Sequence, residues 1–218
     1  MSKAYFTTGV SSLFEMATAD AQRLIPPHLQ PVEVRPQRSV LNISAFLFRD
    51  SEVGPYAELV LSVVVPPVVG RWSLHPKAGF FPFMAATSSA ESRDLLVRER
   101  HFPTHEEPIE ARFLERSDHT RVQVLCQGDP VVDMTVTLHK WRNTTHYFHS
   151  LMMDGERRLK ADVRITGRYS MHEQEQGSLT LHPHAITRDL TLEEVSQSPF
   201  REHWLKEGVE SFSPLETL

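Results

Sequence analysis

Cysteine is almost absent from this 218-residue chain: Cys126 stands alone, which excludes an internal disulfide and any metal or cluster site built from several cysteines. No apolar run approaches the roughly 18 residues of a membrane-spanning helix. The first residues, Met1-Ser2-Lys3-Ala4-Tyr5 leading into Thr7-Thr8-Gly9, lack the unbroken apolar stretch of a secretory signal. The expectation is a cytoplasmic protein with no membrane partner. Basic residues are outnumbered, 23 Lys and Arg against 28 Asp and Glu, and the net charge of −5 attracts neither nucleic acid nor anionic lipid. Glycine is scarce, nine residues against fifteen prolines, and the prolines are scattered, which implies many short connections and no low-complexity tract. The phosphate-binding glycine loop, the dinucleotide fingerprint, the Gly-x-Ser-x-Gly elbow and the His-Glu-x-x-His helix are all missing. No cofactor is implied.

What is present reads as strands. Thr18 to Ile25 has the form of a short helix capped by Thr18 and stopped by Pro26-Pro27. Val40 to Phe48 and Tyr56 to Val65 flank a Gly54-Pro55 turn as a long hairpin. Both faces of the second run are mainly apolar, so it lies inside the molecule and carries Glu58 with it. Gly79 to Thr87 is another strand, and the capping box Ser88 to Glu91 opens a helix to about Arg100 that ends at Phe102-Pro103. Six strand-length runs follow, at Ile109 to Leu114, Arg121 to Cys126, Val131 to Trp141, Thr145 to Met153, Leu159 to Tyr169 and Ser178 to His182. A second capping box at Thr191 to Glu194 and the Ser198-Pro199 pair predict one or two short helices at the C-terminus. The sum is a single α+β domain over 1–218 whose antiparallel sheet curves or closes, since closure hides strand edges.

Chemistry concentrates in two places. Glu58 is an interior carboxylate, and such a group near histidine or arginine can move protons at neutral pH. The loop after Phe102-Pro103 gathers His101, Thr104, His105, Glu106 and Glu107. The 12 histidines show no metal spacing: His146 and His149 project to opposite faces of one strand, and His182 and His184 bracket Pro183. Cys126 alternates in phase with Val122 and Val124, the pattern of a small buried residue. No metal is expected.

The order of these features resembles the acetoacetate decarboxylase family. The resemblance rests on Thr18 to Val34, Val53-Gly-Pro-Tyr-Ala-Glu-Leu59, Arg98-Glu-Arg-His-Phe-Pro-Thr104 and Gly177-Ser-Leu-Thr-Leu-His-Pro183, and spans most of the chain. It implies an acetoacetate decarboxylase-like antiparallel β-barrel with a few short flanking helices and an internal pocket. In that family a lysine directly after an aromatic-proline pair forms a Schiff base with a β-keto acid. Here Thr104 and His105 follow Phe102-Pro103, and threonine cannot form an imine. Glu58 falls on a family active-site glutamate; a second, expected near Ile43 or Ser44, is missing, and no arginine matches before Arg23. Of the five lysines, Lys77 and Lys140 are the two that a relocated imine chemistry would use. The resemblance therefore implies an enzyme of lyase, isomerase or cyclase type that handles a small carbonyl or carboxylate compound by non-covalent acid–base chemistry. Glu58 would be the acid or base, His105 a second proton-transfer group, Thr104 a hydrogen-bond donor and Arg98 the anion or carbonyl partner. The alternatives are an inactive small-molecule binder and a true decarboxylase using a relocated lysine. A homo-oligomer is the expected assembly.

Overall fold

A computed structural model of the chain describes residues 1–68, 76, 78–174 and 176–218. Lys77 thus lies outside the described residues. The elements run β1 (Ser2–Ala17), α1 (Thr18–Arg23), β2 (Glu33–Arg35), β3 (Arg38–Asp50), β4 (Tyr56–Val65), β5 (Gly79–Thr87) and α2 (Ala90–Glu99). They continue through β6 (Ile109–Glu115), β7 (His119–Cys126), β8 (Asp129–Thr137), β9 (Arg142–Asp154), β10 (Arg157–His172), β11 (Ser178–Leu181), β12 (Arg201–Phe212) and β13 (Glu216–Thr217). Seven strands, in the order β1, β12, β10, β9, β5, β4, β3 and back to β1, close into a barrel. All its pairings are antiparallel except the short parallel seam of β5 on β9 at Gly79 and Phe80. Strands β11, β8, β7 and β6 form a separate four-stranded sheet. Among the described residues no helix is long and apolar enough to cross a membrane.

The alternation of side chains divides each wall strand between two environments. On β4 every residue is buried. Leu59, Leu61, Val63 and Val65 face outward into a core shared with Val122, Val124, Val132, Met134 and Val136 of the small sheet. Glu58, Val60 and Ser62 face the barrel lumen. This is why the strand reads as apolar on both sides. A second, inner cluster holds Phe6, Phe46, Phe48, Phe102, Val163, Ile165 and Phe212, and α2 packs Leu96 into it.

Three local expectations are corrected. The helix after Thr18 is uncapped by side chain; the Thr18 hydroxyl instead meets Ser39 Oγ at 2.9 Å. The cap of α2 is Ser89, whose side chain accepts from the Ser92 amide, one residue later than the Ser88 box predicts. The C-terminal helices do not form: residues 192–194 make a single 3-10 turn, and Arg201–Phe212 is a barrel strand. That strand pairs with the equally unforeseen β1 from Ser2↔Phe212 to Leu13↔Arg201, and the hydrogen bonds of closure outweigh local capping signals.

Strand β12 also contains a bulge. Thr166 and Arg168 of β10 face Val209 and Lys206, so one extra residue sits on β12, where Glu207 takes a left-handed φ of 49°. Gly208 is required there, since a Cβ would lie 2.2 Å from Phe6 Cζ and 2.4 Å from the Thr166 carbonyl oxygen. The extra residue reverses the phase of the strand. His203 and Leu205 face the lumen before it, Glu210 and Phe212 after it.

Candidate active site

The lumen is a cavity of about 740 Å³. Its deep end is charged. Glu58 from β4, Arg100 from the end of α2 and Glu210 from β12 are 4%, 4% and 7% exposed. One Arg100 nitrogen, Nη1, lies 3.2 Å from Glu210 Oε1 and 3.8 Å from Glu58 Oε2. The guanidinium carbon sits 4.8 Å above the Phe212 ring. Tyr56 donates its hydroxyl to Glu58 Oε2 at 3.4 Å. Arg100 Nε is buried and has no acceptor among the described residues.

Two carboxyl groups share one guanidinium, so one of them holds a proton until the pH is high enough to overcome burial. Desolvation pushes Glu58 up to about 7; Arg100 opposes this and Glu210 reinforces it. Burial likewise raises Glu210, again against the pull of Arg100. Tyr56 is raised by burial and by the Glu58 charge and stays a neutral donor.

The opposite part of the lumen is aromatic. His146 stacks on Tyr169 with ring centroids 4.3 Å apart, and His203 lies 5.9 Å from His146. His203 Nδ1–H donates to the Ser11 carbonyl at 3.1 Å, which leaves Nε2 as an acceptor. Burial, with His146 and Arg201 adding to it, pushes His203 down to about 4. At the mouth stand Lys140, Arg142 and Arg201, the last held by Glu173 at 2.7 Å.

Of the four residues singled out in the sequence, Glu58 alone lines this cavity. Arg98 does not: its side chain is 78% exposed and pairs with Asp94 on the outer face of α2. Arg100 takes the inner position, and helix phase explains why, because buried Leu96 is four residues before it and Arg98 falls off that face. Thr104 is spent on backbone, its hydroxyl donating to the Phe102 carbonyl at 2.9 Å and its main chain bridging Ala85. His105 points to the small sheet, where its Nε2 lies 3.6 Å from Cys126 Sγ and its ring 5.5 Å from that of His184. Burial and His184 hold His105 below its ordinary value. Glu210 and His203 escaped the sequence because their strand did; the alternation Arg201, His203, Leu205 is the one signal that would have found it.

Among described residues Lys140 is the lysine that lines the cavity, and it is exposed at the mouth. Lys160 is tied to Asp162 and Glu216, and Lys206 to Glu115.

Neither a protein-family model nor a curated protein matches the sequence. Solved structures do match. Acetoacetate decarboxylase from Legionella pneumophila superposes with a TM-score of 0.69 at 13% identity, over 100% of this chain and 87% of that one. This chain has the acetoacetate decarboxylase-like fold. The enduracididine biosynthesis enzyme MppR, complexed with the condensation product of pyruvate and imidazole 4-carboxaldehyde, matches at 0.64 and 12% identity, over 100% and 89%. An acetoacetate decarboxylase-like enzyme from Sphingomonas wittichii RW1 matches at 0.61 and 14%, over 100% and 92%. The closed barrel and its lumen are therefore the acetoacetate decarboxylase-like architecture that the order of motifs implied.

Proposed function

We propose that the lumen is an active site in which Glu58 transfers protons to and from a small carbonyl or carboxylate compound held without a covalent bond to the protein. The observation that carries this reading is a buried carboxyl group facing the barrel lumen and poised to ionise near neutral pH. As carboxylate, Glu58 takes a proton from the carbon next to a carbonyl. The charge that develops on the carbonyl oxygen falls to the adjacent guanidinium of Arg100, which lines the same cavity. Glu58 then returns the proton to carbon, which exchanges or epimerises that centre, to the enolate oxygen, which completes enolisation, or to a leaving hydroxyl, which completes dehydration; cyclisation and lyase steps share the same enolate. Phe46, Phe102 and Phe212 exclude water around it. Lys140 and Arg142 favour entry of an anionic substrate despite the overall negative charge. A fold neighbour solved with pyruvate makes small 2-oxo acids the first substrates to try.

Exchange of pyruvate methyl protons in D2O, followed by NMR, reads the step directly. The protein should accelerate exchange, the rate should rise with pH to a plateau above about 7, and Glu58→Gln should abolish it. Unchanged exchange in that variant would remove Glu58 from the mechanism, and binding without exchange across a panel of oxo acids would favour a ligand-binding protein. The presence of Lys140 at the mouth supports one rival, imine chemistry. Borohydride treatment with pyruvate separates the two: the proposed chemistry leaves the protein mass unchanged, whereas a fixed adduct on lysine establishes the rival.

A further inference from the structure

We propose that His105, Cys126 and His184 form a binding site for one zinc ion, outside the lumen, that fastens the loop after α2 to the end of β7 and to the turn after β11. One ligand atom from each lies within 4.8 Å of the other two. The set is a thiol and two imidazoles, donors that suit zinc and leave a fourth position for water. Zinc–sulfur and zinc–nitrogen bonds of about 2.3 and 2.05 Å at a tetrahedral angle place S and N about 3.5 Å apart. His105 Nε2 and Cys126 Sγ are 3.6 Å apart, so one edge of that tetrahedron is already set. The other two edges are no longer than 4.8 Å, so they need a contraction of at most about 1.5 Å to reach the same tetrahedron.

The positions are held by backbone. His105 N–H donates to the Ala85 carbonyl at 2.8 Å, Cys126 closes the β7 ladder opposite Asp129, and the turn around His184 is tied by the Thr187 hydroxyl to the His182 carbonyl at 2.6 Å. The surroundings favour a cation. Glu106 and Glu107 act on His105, and Glu107 and Asp129 on Cys126, against Arg188 alone. Cys126 is buried while both histidines are half-buried, which gives an ion a way in. On loading, the thiol proton passes to solvent and sulfur binds as thiolate. His184 Nδ1 now accepts from the Ile186 amide at 3.1 Å. Whichever ring nitrogen the metal takes, Nδ1 then carries the metal or a proton, and that amide is released. None of the three residues lines the lumen, so the site is independent of the proposed activity.

The test uses the full chain, stripped with a chelator and titrated with Co2+ in place of zinc. One equivalent should bring up sulfur-to-cobalt charge-transfer absorption with the visible intensity of a tetrahedral ion, and Cys126→Ser should lose it. His105→Ala and His184→Ala should each weaken Zn2+ binding by more than about tenfold, the least that loss of even an outer partner costs, while His119→Ala should not. Zn2+ should also slow alkylation of the unmodified protein, whose one thiol is Cys126, a measurement that does not depend on any variant folding. Absence of the charge-transfer band, its survival in Cys126→Ser, equal loss of affinity in all three histidine variants, or alkylation indifferent to Zn2+ would each overturn the proposal.

Discussion

Replacing Glu58 by glutamine should stabilise the protein at pH 8 and have little benefit at pH 5. The folded state raises this carboxyl from an ordinary value of 4.5 to about 7, chiefly by burial. The native state therefore holds the proton more tightly than the unfolded chain does. Stability from that proton is complete below about 4.5 and lost as the pH rises through about 7. At ~1.4 kcal/mol per pH unit the interval is worth ~3 kcal/mol. An amide does not titrate, so Glu58→Gln is exempt from the loss. The variant also leaves Arg100 to Glu210 alone, at 3.2 Å, and removes the second negative charge from their neighbourhood. Urea unfolding of both proteins from pH 4.5 to 8.5 measures the difference. The stability of the variant relative to the parent should climb by ~3 kcal/mol across that range. Parallel curves would show that Glu58 ionises in the folded state as it does in the unfolded chain, and the proton-transfer reading would lose its physical basis. The expected cost of function is then visible: the group that works at neutral pH is the one that destabilises the fold there.

Three further outcomes follow from the same geometry. Arg100→Met leaves two buried carboxyl groups without a counter-charge and should cost ~3–5 kcal/mol at pH 7, less at pH 5 where Glu58 holds its proton, as urea midpoints at the two pH values will read. Gly9→Ala puts a Cβ 2.3 Å from Phe46 Cδ1; relief drives that ring into the lumen, so a loss of ~1–3 kcal/mol should accompany weaker binding of any lumen ligand, and normal binding would refute the packing. Arg98→Ala should change stability by less than ~0.5 kcal/mol and leave proton exchange intact, because its side chain stands in solvent.

The legible part of the fold was its buried strands. β4 announced itself because ten consecutive residues are buried and both of its faces are apolar, and the same pattern isolated Glu58 as an interior acid. β12 carried the opposite signals. Glu202, Lys206, Glu207 and Glu210 dilute its alternation, the bulge at Glu207-Gly208 breaks the phase, and Ser198-Pro199 imitates a helix start. β1 similarly mixes lumen-facing Ser11 with exposed Lys3 and Tyr5. Each is a strand because neighbours bond it on both sides, β3 and β12 for β1, β1 and β10 for β12.

Residue pattern alone thus determined that the chain is rich in strands, that one carboxylate is interior and that cysteine is too rare for a disulfide or cluster. It could not determine the partners of that carboxylate. Arg100 and Glu210 are 110 residues apart in the chain, and only barrel closure and a one-residue bulge bring them together. Local preference acts over a turn of helix or a pair of strands, whereas the protonation of Glu58 depends on charges and solvent exclusion contributed from across the barrel. The same holds for His105: its neighbours in sequence suggested a proton-transfer loop, and the packing of the small sheet placed it instead against Cys126 and His184.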